Sequence, residues 1–180
     1  MKIPVFLSRP QPHLKVQETF MAALTDRLIE RGLEPLTLGV STYDCDAPLV
    51  GIRRMMASSC GLISVALRRT HLATGASRAG ADVTPYEEQP LSDVWLTSSY
   101  CQIEPAMAFQ LGLPILILRE KGVLAEGVLE RGVTGLYLPE FEVERGTEFL
   151  ESEECKQLLA SWESHVRRVF ELRGLPPKLY

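Results

Sequence analysis

The 180-residue chain lacks the sequence patterns of several large enzyme classes. It has no G-x-x-x-x-G-K-S/T phosphate loop, no G-x-G-x-x-G after its first predicted strand and no G-x-S-x-G turn. These absences exclude a P-loop kinase, a Rossmann oxidoreductase and a hydrolase with a nucleophile elbow. The four cysteines include no C-x-x-C pair and the three histidines have no metal-ligand spacing, so we expect no metal site.

The chain also has no long apolar run and no excess of positive charge. No run approaches roughly 18 residues, the length that crosses a bilayer, and residues 3–7 suggest a strand rather than a signal peptide. The net charge is −4 and the basic residues are spread along the sequence, which argues against a surface for duplex nucleic acid. We therefore expect a reduced, soluble, cytoplasmic protein with neither a membrane nor duplex nucleic acid as a partner.

Length and periodicity predict the architecture. With 46% hydrophobic residues, the chain suffices for one well-packed domain and is too short for two, so we predict a single domain over residues 1–180. Short apolar runs alternate with helical patterns, which is typical of a parallel sheet covered by helices. We predict an α/β fold, a single-domain open parallel β-sheet of flavodoxin-like type with helices on both faces. The predicted strands lie at residues 3–8, 33–38, 61–67, 114–118 and 135–138.

Two segments stand apart from this alternation. Residues 68–92 show no sustained periodicity, so we predict a long loop there. A final helix is predicted at about residues 150–173 with an apolar stripe along one face. The stripe contains too much aromatic area to leave in water, so it should form a subunit contact or pack across the sheet. Its members are Cys155, Leu158, Leu159, Trp162, Val166, Val169 and Phe170.

The segment from residue 97 to residue 118 carries the most informative pattern. Ser99 and Gln102 have the spacing of an S-x-x-Q capping box, and Gly112 ends the helix that they would begin. Pro105 follows Glu104, and a proline disfavours helical geometry both before it and within a helix. We therefore expect Glu104 in an irregular position near a helix start, either as a functional carboxylate or as a first-turn glutamate that complements the helix dipole.

Parallel strands bring their carboxyl ends to one edge of a sheet, where ligands bind. Three loops should converge there: Ser8 and Arg9 after the first strand, the loop that begins at Arg68 after the central strand, and the segment with Ser98 before Glu104. The arginines of these loops have the geometry to hold phosphate through paired hydrogen bonds, or they are solvated surface residues.

A single carboxylate in such a cleft is suited to the stabilisation of a positively charged transition state. Negative charge about 3 Å from a developing glycosyl cation stabilises the transition state of glycosidic cleavage. Ordinary glycosidases need a second carboxyl group to protonate the leaving oxygen, and no such partner is visible here. A nucleobase or nicotinamide leaves more readily, so one glutamate can suffice for an N-glycosidic bond.

Two stretches carry a family resemblance. Residues 5–10, Val-Phe-Leu-Ser-Arg-Pro, are similar to the aromatic-Leu-Ala-Gly-Pro strand end of nucleoside 2-deoxyribosyltransferases and to the Val-Phe-Ile-Ser opening of Toll/interleukin-1 receptor (TIR) domains. Residues 104–115 resemble the deoxyribosyltransferase pattern of Glu, an apolar helix, Gly-Lys-Pro and an apolar strand. Residues 99–104 resemble the TIR segment Ser-x-Trp-Cys-x-x-Glu. The chain thus resembles, over about residues 3–120, the superfamily that joins these two families and the nucleotide N-glycosidases.

The resemblance implies roles for particular residues. Both alignments place the family's catalytic glutamate on Glu104, and they place Phe6, Ser8 and Arg9 in the substrate site. Family members that act on 5′-monophosphates use Ser and Arg in the neighbourhood of Ser8 and Arg9, which favours a nucleotide over a free nucleoside. Proteins of this superfamily commonly complete their sites by assembly, which implies a homo-oligomer.

Other positions follow the family less closely. Tyr43 and Asp44 lie in the place of the TIR loop that closes over the ligand and helps assembly. Deoxyribosyltransferases usually carry one aspartate in the strand that is residues 61–67 here and another where this chain has Ser98, so the chain departs from their base-binding pattern at both positions. In some of them a terminal tyrosine carboxylate reaches the active site, and Tyr180 ends this chain either in that role or as a frayed terminus.

We therefore expect an enzyme of the N-glycosidase, NAD(P)-nucleosidase or (deoxy)ribosyltransferase type. It would cleave or transfer at the N-glycosidic bond of NAD or a related nucleotide, with Glu104 stabilising the ribosyl cation, and the nucleotide would be its substrate, with no cofactor. The alternative is a catalytically silent nucleotide-sensing or assembly module on the same fold. A catalyst should direct Glu104 into an open cleft facing Ser8, whereas a scaffold should tie it to backbone amides.

Overall fold

The structure, a computed structural model, describes residues 2–38, 47–135 and 137–172. Tyr43, Asp44 and Tyr180 therefore lie outside the described residues. The strands are β1 (Ile3–Ser8), β2 (Leu33–Leu36), β3 (Leu62–Ala66), β4 (Thr70–Ser77), β5 (Gln89–Leu96), β6 (Ile115–Glu120) and β7 (Glu140–Phe141). The α-helices are α1 (Lys15–Glu30), α2 (Pro48–Ser58), α3 (Tyr100–Gln110), α4 (Gly146–Glu151) and α5 (Glu153–Glu171).

The main sheet is a five-stranded parallel sheet in the order β2-β1-β3-β6-β7. Its central strand β3 is buried along its whole length, as expected for a strand covered by helices on both faces. β2 lies at the edge, which agrees with the proline at its third position. The predicted α/β fold with an open parallel sheet is confirmed.

Successive side chains of each strand point to opposite faces of the sheet, and each face has its own core. On one face, Val5 of β1 and Val65 of β3 belong to the largest apolar cluster, together with residues of α1 and α5. On the other face, Phe6 and Leu62 pack with buried residues of α2 and α3. The helices therefore form two layers, with α1 and α5 on one side and α2 and α3 on the other.

The apolar stripe of α5 packs across the sheet within the same chain. Trp162 and Val166 are buried in the main core, and the Trp162 indole donates to the Pro114 carbonyl at 3.2 Å. The close approach leaves no room at Gly61, where an added Cβ would lie 2.6 Å from a methyl carbon of Val166. The stripe was expected either to form a subunit contact or to pack across the sheet, and in the structure it packs across the sheet. The homo-oligomer stays a prediction.

The predicted loop over residues 68–92 is wrong, because β4 and β5 form an antiparallel hairpin there. Most of the hairpin residues are exposed or half-buried, so the apolar alternation that marks a half-buried strand is absent from its sequence. At its base, Arg69 donates to the Leu96 carbonyl at 3.0 Å, which joins the two strands. Trp95 donates to the Gly122 carbonyl at 3.0 Å, which attaches the hairpin to the rest of the domain.

Two further boundaries differ from the sequence prediction. Among the described residues the last strand is β7, and residues 135, 137 and 138 form no strand. The Phe141 ring stacks on those of Phe20 and Phe149, and this packing holds the later segment against β6. The final helix is interrupted at Ser152, whose hydroxyl accepts from the Cys155 amide at 3.1 Å and begins α5. Within the described ranges, no helix combines the length and apolar character needed to cross a membrane.

Candidate active site

A cleft of about 540 Å³ lies at the carboxyl end of the parallel sheet. The segment after β1 supplies Arg9 and His13, the residue after β2 supplies Thr37, and the segment after β3 supplies Arg69. The cleft is completed by Phe6 and Leu7 of β1, Leu38, Pro48 and Ile52 from the region of α2, and Ser98, Tyr100 and Glu104 at the start of α3. The loops after parallel strands thus converge as the sequence analysis predicted.

Glu104 lies in α3 and lines this cleft, although its side chain is only 7% exposed. The expectation of an irregular position is wrong, since α3 continues through Pro105 to Gln110. Pro105 removes one donor from the helix. The face that carries Glu104, Pro105 and Ala108 is buried, and its packing holds the helix together through the proline.

The predicted capping box at Ser99 is also wrong. Ser99 already has helical backbone angles, and its side chain makes no capping hydrogen bond. The Ser98 hydroxyl instead accepts from the Tyr100 amide at 3.3 Å. Gln102 turns away from the helix start, since its amide nitrogen donates to the Glu126 carbonyl at 2.9 Å and its oxygen accepts from the Val128 amide at 3.0 Å. Gln102 therefore attaches α3 to the neighbouring loop.

The surroundings of Glu104 favour its protonated form. Burial raises the pKa of its carboxyl group to about 7, and a hydrogen bond with the Ser8 hydroxyl opposes the shift. Ser64 donates to Ser8 at 3.4 Å, so Ser8 keeps its own proton available for the carboxylate. Among the hydrogen bonds of the described residues, no backbone amide donates to Glu104. The Glu104 carboxyl group thus lies in the cleft beside Ser8 and is not bound by the backbone amides at the start of α3.

Positive groups lie along the same cleft. Arg9 is half-buried, its guanidinium donates to the Pro10 carbonyl at 3.4 Å, and burial lowers its pKa. Arg69 is exposed at the cleft wall. Neither arginine forms an ion pair with any carboxylate in the part of the chain that the structure describes. Both are therefore available to an anionic ligand.

The structure does not bring Arg68 into the cleft. Its guanidinium donates to the Lys121 carbonyl at 2.6 Å, lies 3.6 Å from Glu120 and sits above the Trp95 ring. Neighbouring residues of an extended chain point in opposite directions, so Arg69 rather than Arg68 faces the cleft. Phe6 and Ser98 line the cleft, whereas Ser8 is buried next to Glu104 and does not line it.

His13 and Tyr100 also line the cleft, although no sequence motif singles them out. In the described ranges, His13 belongs to no group of three side chains that could hold a metal ion. Its position a few residues after β1 was the signal that could have identified it, because such segments line the ligand edge of a parallel sheet. Tyr100 could have been identified in the same way from its place at the start of α3.

Comparison with solved structures finds similarity at the level of the fold. The Clostridium botulinum CMP N-glycosidase BcmB has a TM-score of 0.50 and 15% identity, over 85% of this chain and 98% of that chain. The TIR domains of the activated Roq1 resistosome, which directly recognizes the pathogen effector XopQ, have a TM-score of 0.41 and 14% identity, over 96% of this chain and 86% of that chain. No protein-family model matches the chain, and no curated protein is significantly similar to it in sequence. The chain thus shares the fold of BcmB.

Proposed function

We propose that this protein cleaves the N-glycosidic bond of a nucleotide, or transfers the ribosyl group released, and that Glu104 stabilises the ribosyl cation. The observation that carries the proposal is the Glu104 carboxyl group. It is almost fully buried, it lines a ligand-sized cleft, and a serine hydroxyl rather than the backbone is its polar neighbour. The fold shared with BcmB, a CMP N-glycosidase, is consistent with this chemistry.

The proposed step needs only one carboxylate. The bond between the anomeric carbon and the base nitrogen breaks, and the electron pair leaves with the base. The ribosyl group becomes cationic, and the ionised Glu104, which is itself almost fully buried, stabilises that charge. Water or another hydroxyl group then attacks the anomeric carbon and loses its proton to Glu104 or to solvent.

The leaving group limits which nucleotides are suitable substrates. Glu104 is the single carboxylate among the described residues that line the cleft, so no second carboxyl group there protonates a departing base. Nicotinamide needs no such proton, because its glycosidic nitrogen is already positively charged and the ring leaves as a neutral molecule. This supports NAD or a related nucleotide as the substrate.

The arginines of the cleft support a phosphorylated substrate. Arg9 is half-buried just after β1, and Arg69 lies in the segment after the neighbouring strand β3. Neither arginine forms an ion pair with another described residue. An arginine fork binds phosphate oxygens through paired hydrogen bonds. A cavity of about 540 Å³ is within the size range of nucleotide-sized ligands.

The test is incubation of the purified protein with NAD, NADP, CMP, dGMP and deoxynucleosides, followed by identification of the free base and the sugar product. Glu104→Gln should lower turnover at least about a hundredfold, because one preorganised electrostatic group typically contributes about 2.7–4 kcal/mol to the barrier. Glu126→Gln is the matched control, since it is the same substitution at an exposed residue outside the cleft.

The result also distinguishes the rival function. Binding of a nucleotide without release of any base would identify a nucleotide-sensing module and refute the enzymatic proposal. Equal turnover by Glu104→Gln and the unchanged protein would exclude the role of Glu104. The nature of the sugar product separates hydrolysis from transfer.

A further inference from the structure

Two buried polar side chains contact the segments that form the cleft without lining the cleft themselves. Gln17 of α1 has no exposed surface, and Glu120 at the end of β6 is 1% exposed. Burying an amide or a carboxyl group is costly unless each polar atom has a partner. The partners of these two side chains include the backbone of the segments that supply the cleft residues.

Gln17 joins two of these segments. Its oxygen accepts from the His13 amide at 3.2 Å, and its nitrogen donates to the Arg68 carbonyl at 3.0 Å. His13 belongs to the segment after β1, which also carries Arg9, and Arg68 precedes Arg69 in the segment after β3. One buried side chain thus links the two segments that carry the free arginines of the cleft.

Glu120, at the end of β6, binds the segment after β3. Its carboxylate accepts from the Arg68 amide at 2.7 Å. The backbone of Arg68 is therefore held at both its N–H and its C=O, one by Glu120 and the other by Gln17. The next residue, Arg69, begins from a fixed backbone position, although its own side chain is exposed.

We propose that Gln17 and Glu120 are positioning residues, which hold the segments after β1 and β3 so that Arg9 and Arg69 face the same phosphate-bearing ligand. This inference rests on the proposed function for the nature of the ligand. A merely structural role would also lower stability when either residue is changed, but it would leave ligand affinity unaltered in the folded protein. Affinity is therefore the decisive measurement.

The experiment measures equilibrium binding by calorimetry in the Glu104→Gln protein, in which the ligand is not consumed. The probes are NAD, CMP and inorganic phosphate, with cytidine as the ligand that lacks phosphate. Gln17→Leu should weaken binding of the phosphate-bearing probes at least about fivefold, because each arginine that is displaced loses a charge-assisted hydrogen bond. The affinity for cytidine should change less than about twofold, a factor too small for the loss of such a bond.

Two controls separate positioning from stability. Leu28→Ala removes a fully buried side chain from the far end of the same helix, so it should lower stability without changing affinity. Glu120→Gln keeps an oxygen that accepts from the Arg68 amide and should bind like the parent protein, whereas Glu120→Leu removes that oxygen and should weaken binding. Gln17→Met is a second variant at the key position, since its side chain has a similar length but offers neither a donor to the Arg68 carbonyl nor a strong acceptor to the His13 amide.

The outcomes are distinct from those of the proposed function. Failure to cleave any nucleotide refutes the enzymatic proposal but leaves the binding comparison intact. A parent protein that binds none of the three phosphate-bearing probes overturns the positioning proposal. Unchanged affinity in Gln17→Leu and Gln17→Met, or an equal loss in Leu28→Ala, also overturns it. Where a nucleotide is cleaved, Gln17→Leu should raise KM and leave kcat within about twofold, since only the phosphate contacts are displaced.

Discussion

Glu104→Gln should stabilise the folded protein at neutral and alkaline pH, even though it removes the proposed catalytic group. The substitution is nearly isosteric and replaces a titratable carboxyl group by a neutral amide. In the folded protein the carboxyl group is buried in the cleft, and its charged form lacks the solvation that it has in the unfolded chain. The amide carries no charge at any pH, so it avoids this cost.

The magnitude follows from the pKa. Burial raises the pKa of Glu104 from 4.5 to about 7. The shift corresponds to roughly 3 kcal/mol, since each pKa unit is worth about 1.4 kcal/mol. Below pH 4.5 both the folded and the unfolded protein hold the proton, and the carboxyl group costs nothing extra. As the pH rises to about 7 the unfolded chain releases its proton first, so the stability that Glu104 contributes is lost over this interval.

Urea unfolding of the unchanged protein and of Glu104→Gln between pH 4.5 and pH 8.5 measures the effect. The difference in free energy of unfolding should grow by roughly 3 kcal/mol in favour of the Gln variant and then level off above about pH 7.5. Glu87→Gln, on the exposed turn between β4 and β5, should change stability little at any pH. A constant difference, or a Gln variant that becomes relatively less stable as the pH rises, would refute the reasoning about the buried carboxylate.

Three further predictions concern the cleft and the core. Because the ionised form of Glu104 is the active one, kcat/KM should rise with pH with a midpoint near 7, and a rate that falls over pH 5.5–8 would contradict this assignment. Arg9→Ala should raise the Michaelis constant for nucleotides at least about fivefold and hardly affect nucleosides, whereas equal effects would show that Arg9 is structural. Gly61→Ala should destabilise the fold by about 1–3 kcal/mol in urea unfolding, because the new Cβ would lie 2.6 Å from Val166, and Val166→Ala in the same chain should restore part of the loss.

The convergence of cleft residues could be predicted from the sequence because it depends on topology. Once Ser8 and Glu104 are assigned to the end of β1 and to the element before β6, a parallel sheet brings them to the same edge. The choice between Arg68 and Arg69 could not be predicted, since it depends on which way each side chain points as the chain leaves β3. That direction is set by the contacts of Arg68 with Glu120 and Trp95, which are distant in sequence.

The β4–β5 hairpin and Gln17 were missed for related reasons. The hairpin is exposed, so its pairing leaves little apolar pattern to read, and its partners are joined by backbone hydrogen bonds that any residues can make. Gln17 has helical spacing to Phe20 and Leu24, so the period of α1 places it on the buried face, but the sequence does not show which groups its amide contacts there. Only the position of the segments after β1 and β3 reveals that its amide has buried partners.

The hairpin also makes the molecule accessible to labelling. Its strands leave the domain at Arg69 and return just before Ser98, while the turn at residues 78–88 lies at the far end and is mostly exposed. Exposed turns of this kind accept inserted sequence, and the backbone hydrogen bonds at the base, between Arg69 and Leu96, would hold the two strands together. A peptide tag or a fluorescent domain inserted in this turn would therefore be carried at the end of a stalk, away from the cleft that adjoins its base, and should leave ligand binding unchanged.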